Sequence, residues 1–532
     1  MQTTNVASGP PTEGLATVLT TEHEESSNTS LTTASHTHNE KDRDEDLPQK
    51  EGSAQVEQEE APATGAIPVP RAQRRGLWAN LSIIPEVEEP SKYSAGKKWA
   101  MTIIVALAAA TSSTGSAIFY PALRPVADDL HTSQTVINLS LAFYLFIMAI
   151  TPMWWSSWSE TLGRRTVYIS SFLLFVIFSA ISAVSVNIEM LILFRILTGG
   201  AAGAVQTVGS GTVSDLWEPR KRGKAMGIFF LGPLCGPGIA PIIGGILTQT
   251  LGWRSTLWAL CIFGGVLLLS IILLLPETVA RRTPEKKSPM ARFIDPIKTL
   301  GLLQHPPVLV TVFSGGLSFA ALYIINIAIQ SDYSSAPYNF DEIIVGLLYI
   351  APMLGYAVAS QTGGRWIDYL MARGAQRASR YDAEGKLIYL PEDRMQENMW
   401  IAASLYPGAM IWYGWVTEYG VHWIVSCIAN FFFGIGAMLV FGAVTTMLTE
   451  FTPKRASAGV ALNNCVRQVL ATIATVVVQP LINAIGTGWM CTMIALFCWV
   501  TGNAAIYMLK RNGPQWREKM EKKLDATKKQ EK

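Results

Sequence analysis

Two arginines stand where a positive charge is hardest to keep. Arg195 begins RILTGGAAGAVQTVGSGTV and Arg467 lies in NNCVRQ, each within an apolar run long enough to cross a bilayer. A guanidinium at the centre of hydrocarbon costs roughly 2.5–3.5 kcal/mol on the mildest insertion scale, so it needs a partner or a water-filled cavity. Gly199, Gly203, Gln206 and Ser210 follow Arg195 at helical spacing and share its face. If that helix starts near Ile188, Arg195 lies about 10 Å deep at a rise of about 1.5 Å per residue. Such depth favours a functional arginine over one that snorkels to the surface or pins two helices. Asn463, Asn464, Arg467 and Gln468 likewise share a face, and Tyr323, Asn326 and Gln330 repeat the pattern in another apolar run. Polar stripes of this kind line a solute cavity or hold helices together. Gln206, Tyr323, Asn326, Gln330, Asn463, Asn464 and Arg467 are the candidate cavity residues, and Thr111 to Ser116 could join them.

No Asp or Glu falls well inside an apolar run; the nearest are Glu160, Asp215 and Glu450 at one set of ends and Asp128 and Asp129 at the other. An interior with two arginines and no carboxylate suits neutral or anionic solutes better than strong cations. A group that changes protonation must then be sought at the segment ends. Glu160, Arg164 and Arg165 on one turn could meet Asp215 at the end of a later helix, forming a charged latch that protonation of a carboxylate would loosen. The competing reading of Arg164 and Arg165 is a static set of loop charges.

A second kind of chemistry-bearing stretch is conformational. GPLCGPGIAPIIGG reads as tetrads, Gly232-Pro233, Gly236-Pro237, Ala240-Pro241 and Gly244-Gly245. Small residues every four positions form a smooth stripe for another helix, and prolines remove backbone donors from the ladder. A packing helix needs the stripe but not three prolines, so these residues are expected to form a conformational hinge.

The elements that must carry these residues follow from composition. The chain has 532 residues, 49% of them hydrophobic and only 15% charged, too apolar for an ordinary soluble protein. Twelve apolar segments of about 20 residues are predicted between residues 99 and 509, the length that crosses about 30 Å of hydrocarbon. Loops at one end of these segments carry 20 Lys and Arg, and those at the other end carry two, Arg124 and Arg254. The positive-inside rule then places both termini in the cytoplasm. Up to Glu60 there are 13 acidic residues against three basic ones, a composition that cannot bury enough apolar surface to fold alone. The expected layout is a disordered acidic tail over 1–97 with a membrane-proximal segment, six-helix halves over 98–275 and 307–509, a cytoplasmic linker over 276–306, and a basic tail over 510–532. The halves echo each other: Pro219, Arg222, Ala225 and Gly227 are answered by Pro453, Arg455, Ala458 and Gly459. Twinned halves of this kind are described for secondary transporters that hold substrate near the midplane.

Several classes are disfavoured. The six cysteines fall in apolar segments without paired spacing, and no HExxH, CxxC pair or P-loop motif occurs, so no metal, redox or nucleotide site is expected. No nucleophile–base set points to an enzyme.

Three motifs resemble those of the major facilitator superfamily, specifically the twelve-span drug:proton antiporters. SSWSETLGRR is similar to the family's signature loop, with Gly163, Arg164 and Arg165 intact. Arg195 with Gly199 matches the span-four motif, whose arginine the family links to proton coupling, and the span-five tetrads match the antiporter motif except at Ala240. LSIIPEVEEPSKY, WWSSWSETLGRR and LGWRSTLWAL further resemble the fungal quinidine-resistance and dityrosine-transporter branch. The resemblance covers about residues 76–510. It implies an all-α integral membrane protein of twelve helices in two pseudo-symmetric halves. It also implies export of small organic molecules, such as drugs or toxic or secondary metabolites, by proton antiport. The expected partners are a small organic substrate, protons and membrane lipid, with no nucleic acid and no cofactor beyond the proton gradient. The protein is expected as a monomer in the plasma membrane, a vacuolar or vesicular membrane being the alternative. A facilitator or importer of the same fold, or a transporter-like receptor, remains the alternative function.

Overall fold

The computed structural model describes residues 67–279, 297, 299–381, 387, 390–451 and 456–530. The acidic tail to residue 66, most of the linker between the halves and the turn holding Pro453 and Arg455 lie outside them.

Hydrocarbon offers backbone groups no partner but each other, so apolar runs close into helices. Spans one to three are Ala95–Ala117, Gln134–Leu162 and Arg164–Ala183. Span four is Ile188–Ala202 and Ala204–Leu216, interrupted at Gly203. Spans five and six are Pro219–Leu251 and Arg254–Leu274. Span seven is Pro306–Tyr333, span eight Glu342–Leu348 with Ile350–Arg377, span nine Glu397–Glu418 and span ten Trp423–Phe451. By length and hydropathy, ten stretches of helix qualify as membrane spans among the described residues, and one of them, Gly459–Met520, is 62 residues long. At about 1.5 Å per residue it would measure about 93 Å, roughly three hydrocarbon cores. It breaks at Gly486, which has φ 78 and ψ 164, into spans eleven and twelve. Span nine, rich in Trp and Tyr and holding Pro407, brings the number to the predicted twelve. The expected basic tail from residue 510 continues the last helix to Gln530.

The twinning of the halves is visible at their turns. Gly252, between spans five and six, has φ 80 and ψ 162, nearly the values of Gly486 between spans eleven and twelve. Only glycine adopts that conformation readily. Spans two and eleven pack together across the halves, as do spans five and eight.

The end of the bundle where span one begins is here the near face, the other the far face. One buried apolar core runs from the far part of the N-terminal half through the C-terminal half. The near part of the N-terminal half has a core of its own, which includes Ile84, Val87 and Tyr93 from the segment before span one. The halves are therefore knitted at the far face.

Span five is a wedge between them, and the small-residue stripes explain how. A Cβ on Gly232 would lie 2.0 Å from the Ala106 carbonyl oxygen, and one on Gly244 2.1 Å from that of Ile118, so one stripe seats on span one. Gly236 meets Ser113 of the same span. Gly238 and Gly245 face Met353 and the Glu342 carbonyl of span eight. The helix runs unbroken through Pro233, Pro237 and Pro241.

Candidate functional site

The ladder of small residues predicted on span four is an interface with span two. A Cβ on Gly199 would lie 2.6 Å from the Tyr144 carbonyl oxygen, and one on Gly203 2.4 Å from the Thr151 hydroxyl. This close approach turns Arg195 inward, where it is fully buried. Its Nη1 donates to the Gly115 carbonyl at 2.8 Å, and its guanidinium lies 4.7 Å from the ring centres of both Phe119 and Tyr144. Two π faces and a carbonyl are a soft cage for a cation. Its Nε and Nη2 have no hydrogen-bond partner among the described residues. Farther along span four, Gln206 donates to the Ser112 hydroxyl at 3.1 Å.

The C-terminal half holds the second cage. Arg467 is 8% exposed, with its guanidinium 4.3 Å from the centre of Phe319 and 5.1 Å from that of Phe441. Asn463 and Gln468 are buried beside it, and Asn464 is half-buried. Of the candidate cavity residues in span seven, Tyr323 and Gln330 touch the other half, and the backbone of Asn326 holds Tyr349 of its own half. Tyr323 and Ser116 share a hydroxyl contact at 3.3 Å, and Gln134 donates to Gln330 at 2.8 Å. The Asn326 carbonyl accepts from Tyr349 at 2.6 Å, and Tyr349 stacks on Tyr120 with ring centres 5.7 Å apart. These residues are buried at the far-face closure, so interhelical glue is what the structure shows.

At the near face the expected latch forms only in part. Arg164 Nε donates to Asp215 at 3.3 Å and Nη1 to the Ser159 hydroxyl at 2.5 Å. Among the described residues, no hydrogen bond or ion pair joins Glu160 to this cluster. Arg165 points elsewhere altogether. Its fully buried guanidinium donates to the carbonyls of Leu77 (3.0 Å), Trp78 (2.9 Å), Ile271 (3.2 Å) and Ile272 (2.7 Å), and also to that of Leu275. The reason lies at the end of span six. The last carbonyls of a helix lack intrahelical donors, and Pro276 has no N–H to offer Ile272. The cation of one helix start thus caps the carbonyl end of another.

The cap is reciprocal. Glu277, 2% exposed just past span six, accepts from the backbone N–H groups of Arg164 (3.0 Å) and Arg165 (3.2 Å), the free donors at the start of span three. It also accepts from Thr278 and Val279. Anion at a helix start and cation at a helix end both suit the helix dipole. Burial pushes the Glu277 carboxyl above its usual range, against those four donors that pull it down. Stability from the protonated form is therefore present below the ordinary range and lost as pH rises through the raised value. The melting temperature of purified protein should fall across that window, and Glu277→Gln, which cannot ionise, should flatten the fall. An unchanged profile in the variant would remove Glu277 from the effect.

The segment before span one, expected to lie along the membrane surface, is a strap over this joint. It makes tight turns at Arg71–Gln73, Ala79–Leu81 and Pro90–Lys92. Buried Glu86 accepts from Arg75 Nε at 2.8 Å and from its backbone N–H at 2.7 Å, while Arg75 Nη2 donates to the Val279 carbonyl at 2.6 Å. Ile83 N–H donates to Leu273 at 2.7 Å.

Two carboxyls were missed by sequence reasoning. Glu277 follows a span that appeared to end beside it. Asp332 falls within the last turn of span seven, beyond the predicted end at 330, and accepts from Thr487 (2.7 Å) and Tyr413 (3.0 Å). Asp332 thus adds one more carboxyl at a segment end, since the helix is longer than the apolar run.

Comparison with known proteins agrees with this architecture. A family model described as Major Facilitator Superfamily matches residues 105–475. The MFS antiporter QDR3 of Candida albicans is 32% identical over an alignment covering 85% of this chain and 83% of that protein. The MFS transporter OpS2 of Beauveria bassiana is 46% identical, covering 60% of this chain and 98% of that protein. Among solved structures, a D-xylose-proton symporter shares the fold with a TM-score of 0.57 at 15% identity, covering 75% of this chain and 97% of that one. With its family signature running through eleven of the twelve spans and a relative aligned along most of its length, this chain belongs to the Major Facilitator Superfamily and is a transporter, not an enzyme.

Proposed function

We propose that the chain exports small organic molecules from the cytosol by alternating access, in exchange for protons. The observation that carries this reading is the junction of the halves. It is knitted at the far face by Tyr323, Gln330 and Tyr349, while nearer mid-span Arg467 sits between two rings without a counter-ion among the described residues. A path shut at one face and polar at its middle suits a solute taken from the other. The near face, with its 20 basic loop residues, is then cytosolic and holds both termini. The protein works as a monomer in the lipid of the plasma membrane, driven by the proton gradient without a cofactor.

In this reading the Arg164–Asp215 pair is the latch. Protonating Asp215 removes the charge that holds Arg164 and frees the start of span three from the end of span four. Arg195 couples that movement to spans one and two, which it touches through Gly115, Phe119 and Tyr144. Glu160 and Arg165 stand outside the latch. The span-five residues Gly232, Pro233, Gly236, Pro237, Pro241, Gly244 and Gly245 form the bearing on which the halves turn. The lack of any carboxylate against Arg195 or Arg467 among the described residues favours a second reading, an uncoupled facilitator or importer.

The test is efflux of a panel of labelled organic compounds from cells expressing the protein, with and without a proton uncoupler. Uncoupler-sensitive efflux should fall at least about tenfold in Arg195→Ala and in Asp215→Asn, a loss of about 1.4 kcal/mol in barrier terms. Efflux that ignores the uncoupler would remove the proton from the mechanism. No efflux of any compound would move the reading to a transporter-like receptor.

A further inference from the structure

We infer that Arg467 anchors the charged group of an organic anion whose aromatic body lies against the rings that flank it. The inference rests on the export reading and names its substrate class. Arg467 lies 11 residues into its helix from Ala456, about 16 Å at about 1.5 Å per residue, close to the middle of a hydrocarbon core of about 30 Å. Phe319 and Phe441 lie within cation–π range of it, which leaves the hydrogen-bonding needs of its N–H groups unmet. No described residue accepts a hydrogen bond from it, and its buried Nε has no partner. On the same stripe, Asn463 Oδ1 and Gln468 Oε1 are buried with no donor among the described residues. Three unsatisfied polar atoms within about one helical turn are costly to keep unless something pairs with them.

The chemistry of the missing partner follows from their types. Anionic oxygens, as of a carboxylate, match a guanidinium in a charge-assisted, often bidentate bond. A hydroxyl or N–H on the same molecule would serve the two amide oxygens. A cation would satisfy only those oxygens and would be repelled by Arg467 and by Arg195, neither of which a described carboxylate neutralises. Arg195 is sealed from solvent, so it contributes field rather than contact. The body has a surface to lie on. The rings of Phe319 and Phe441, 4.3 and 5.1 Å from the guanidinium and only half-buried, flank the anchor.

The experiment uses three probes that share one body, 4-hydroxybenzoate, its methyl ester and 4-hydroxybenzylamine, as competitors for efflux of any compound the full-length protein exports. The acid should compete at least about tenfold better than the ester or the amine, the factor expected of one charge-assisted hydrogen bond. Arg467→Gln should erase the preference, and Arg467→Lys should restore part of it. Equal competition by all three, preference for the amine, or a preference for the acid that survives Arg467→Gln would each overturn the assignment while leaving export intact. Because the ranking is read in the unaltered protein, it decides the matter even where a variant fails to fold. If no compound of any charge is exported, the export reading itself fails and takes this inference with it.

Discussion

Replacing Arg165 by alanine is expected to destabilise the purified protein by about 3–5 kcal/mol, although the residue belongs to the loop motif that pointed to transport. The guanidinium serves five carbonyls. Two of them have another donor: Ile271 keeps the N–H of Leu275, and Trp78 keeps that of Leu81. The carbonyls of Leu77, Ile272 and Leu275 keep no other described donor, and each buried unpaired acceptor costs about 1–3 kcal/mol before water enters to relieve it. Arg165→Lys should recover only part of the loss, because three donors on a flexible stem cannot span carbonyls contributed by two separate segments. Thermal unfolding followed by intrinsic fluorescence reads the effect directly. A melting temperature unchanged in Arg165→Ala would show that the cap carries no weight.

Gly232→Ala should have a somewhat smaller effect by an opposite route, overfilling rather than emptying. The added methyl would sit 2.0 Å from the Ala106 carbonyl oxygen and 2.9 Å from its carbon, both backbone atoms of span one that no rotamer change can move. Ordinary contacts between carbon and oxygen are about 3.3–3.6 Å, so span five must retreat by more than about 1 Å. Overpacking of this kind costs about 1–3 kcal/mol, occasionally more. Because span five also carries the contact with span eight, transport should fall with stability. Gly244→Ala, 2.1 Å from the Ile118 oxygen, should behave alike, whereas Gly265→Ala, with nothing within 4 Å, should be silent. Equal activity of all three variants would dismiss the wedge.

The comparison of sequence with structure is instructive at particular residues. The twelve spans and the family were legible because periodicity, span length and the tetrads of span five are local signals. The shared face of Arg195, Gly199, Gly203 and Gln206 was legible for the same reason, although its partner, span two, was not. The division of labour between Arg164 and Arg165 was hidden. Adjacent arginines in a turn look alike until one knows that Pro276, over a hundred residues later, leaves Ile272 without a donor. Glu277 was hidden by the same distance. Pro276 was a usable clue, since a proline after an apolar helix leaves a carbonyl to be claimed by some other donor. The partners of Tyr323 and Gln330, Ser116 and Gln134, were not legible, because a polar stripe has the same pattern whether it meets solute or another helix.

The strap raises a question of timing during synthesis. Arg75 reaches Val279 across 204 residues of chain, and Arg165 waits for carbonyls 106 to 110 residues downstream. At about 5–20 residues per second, the strap emerges about 10–40 s before span six supplies its docking site. For that interval its arginines and apolar residues have no native surface, and span three enters the bilayer with Arg165 unclaimed. The strap, though it precedes every span of its half, is thus among the last parts of that half to settle. Substitutions there should be felt as lower yield of inserted protein before they are felt as slower transport.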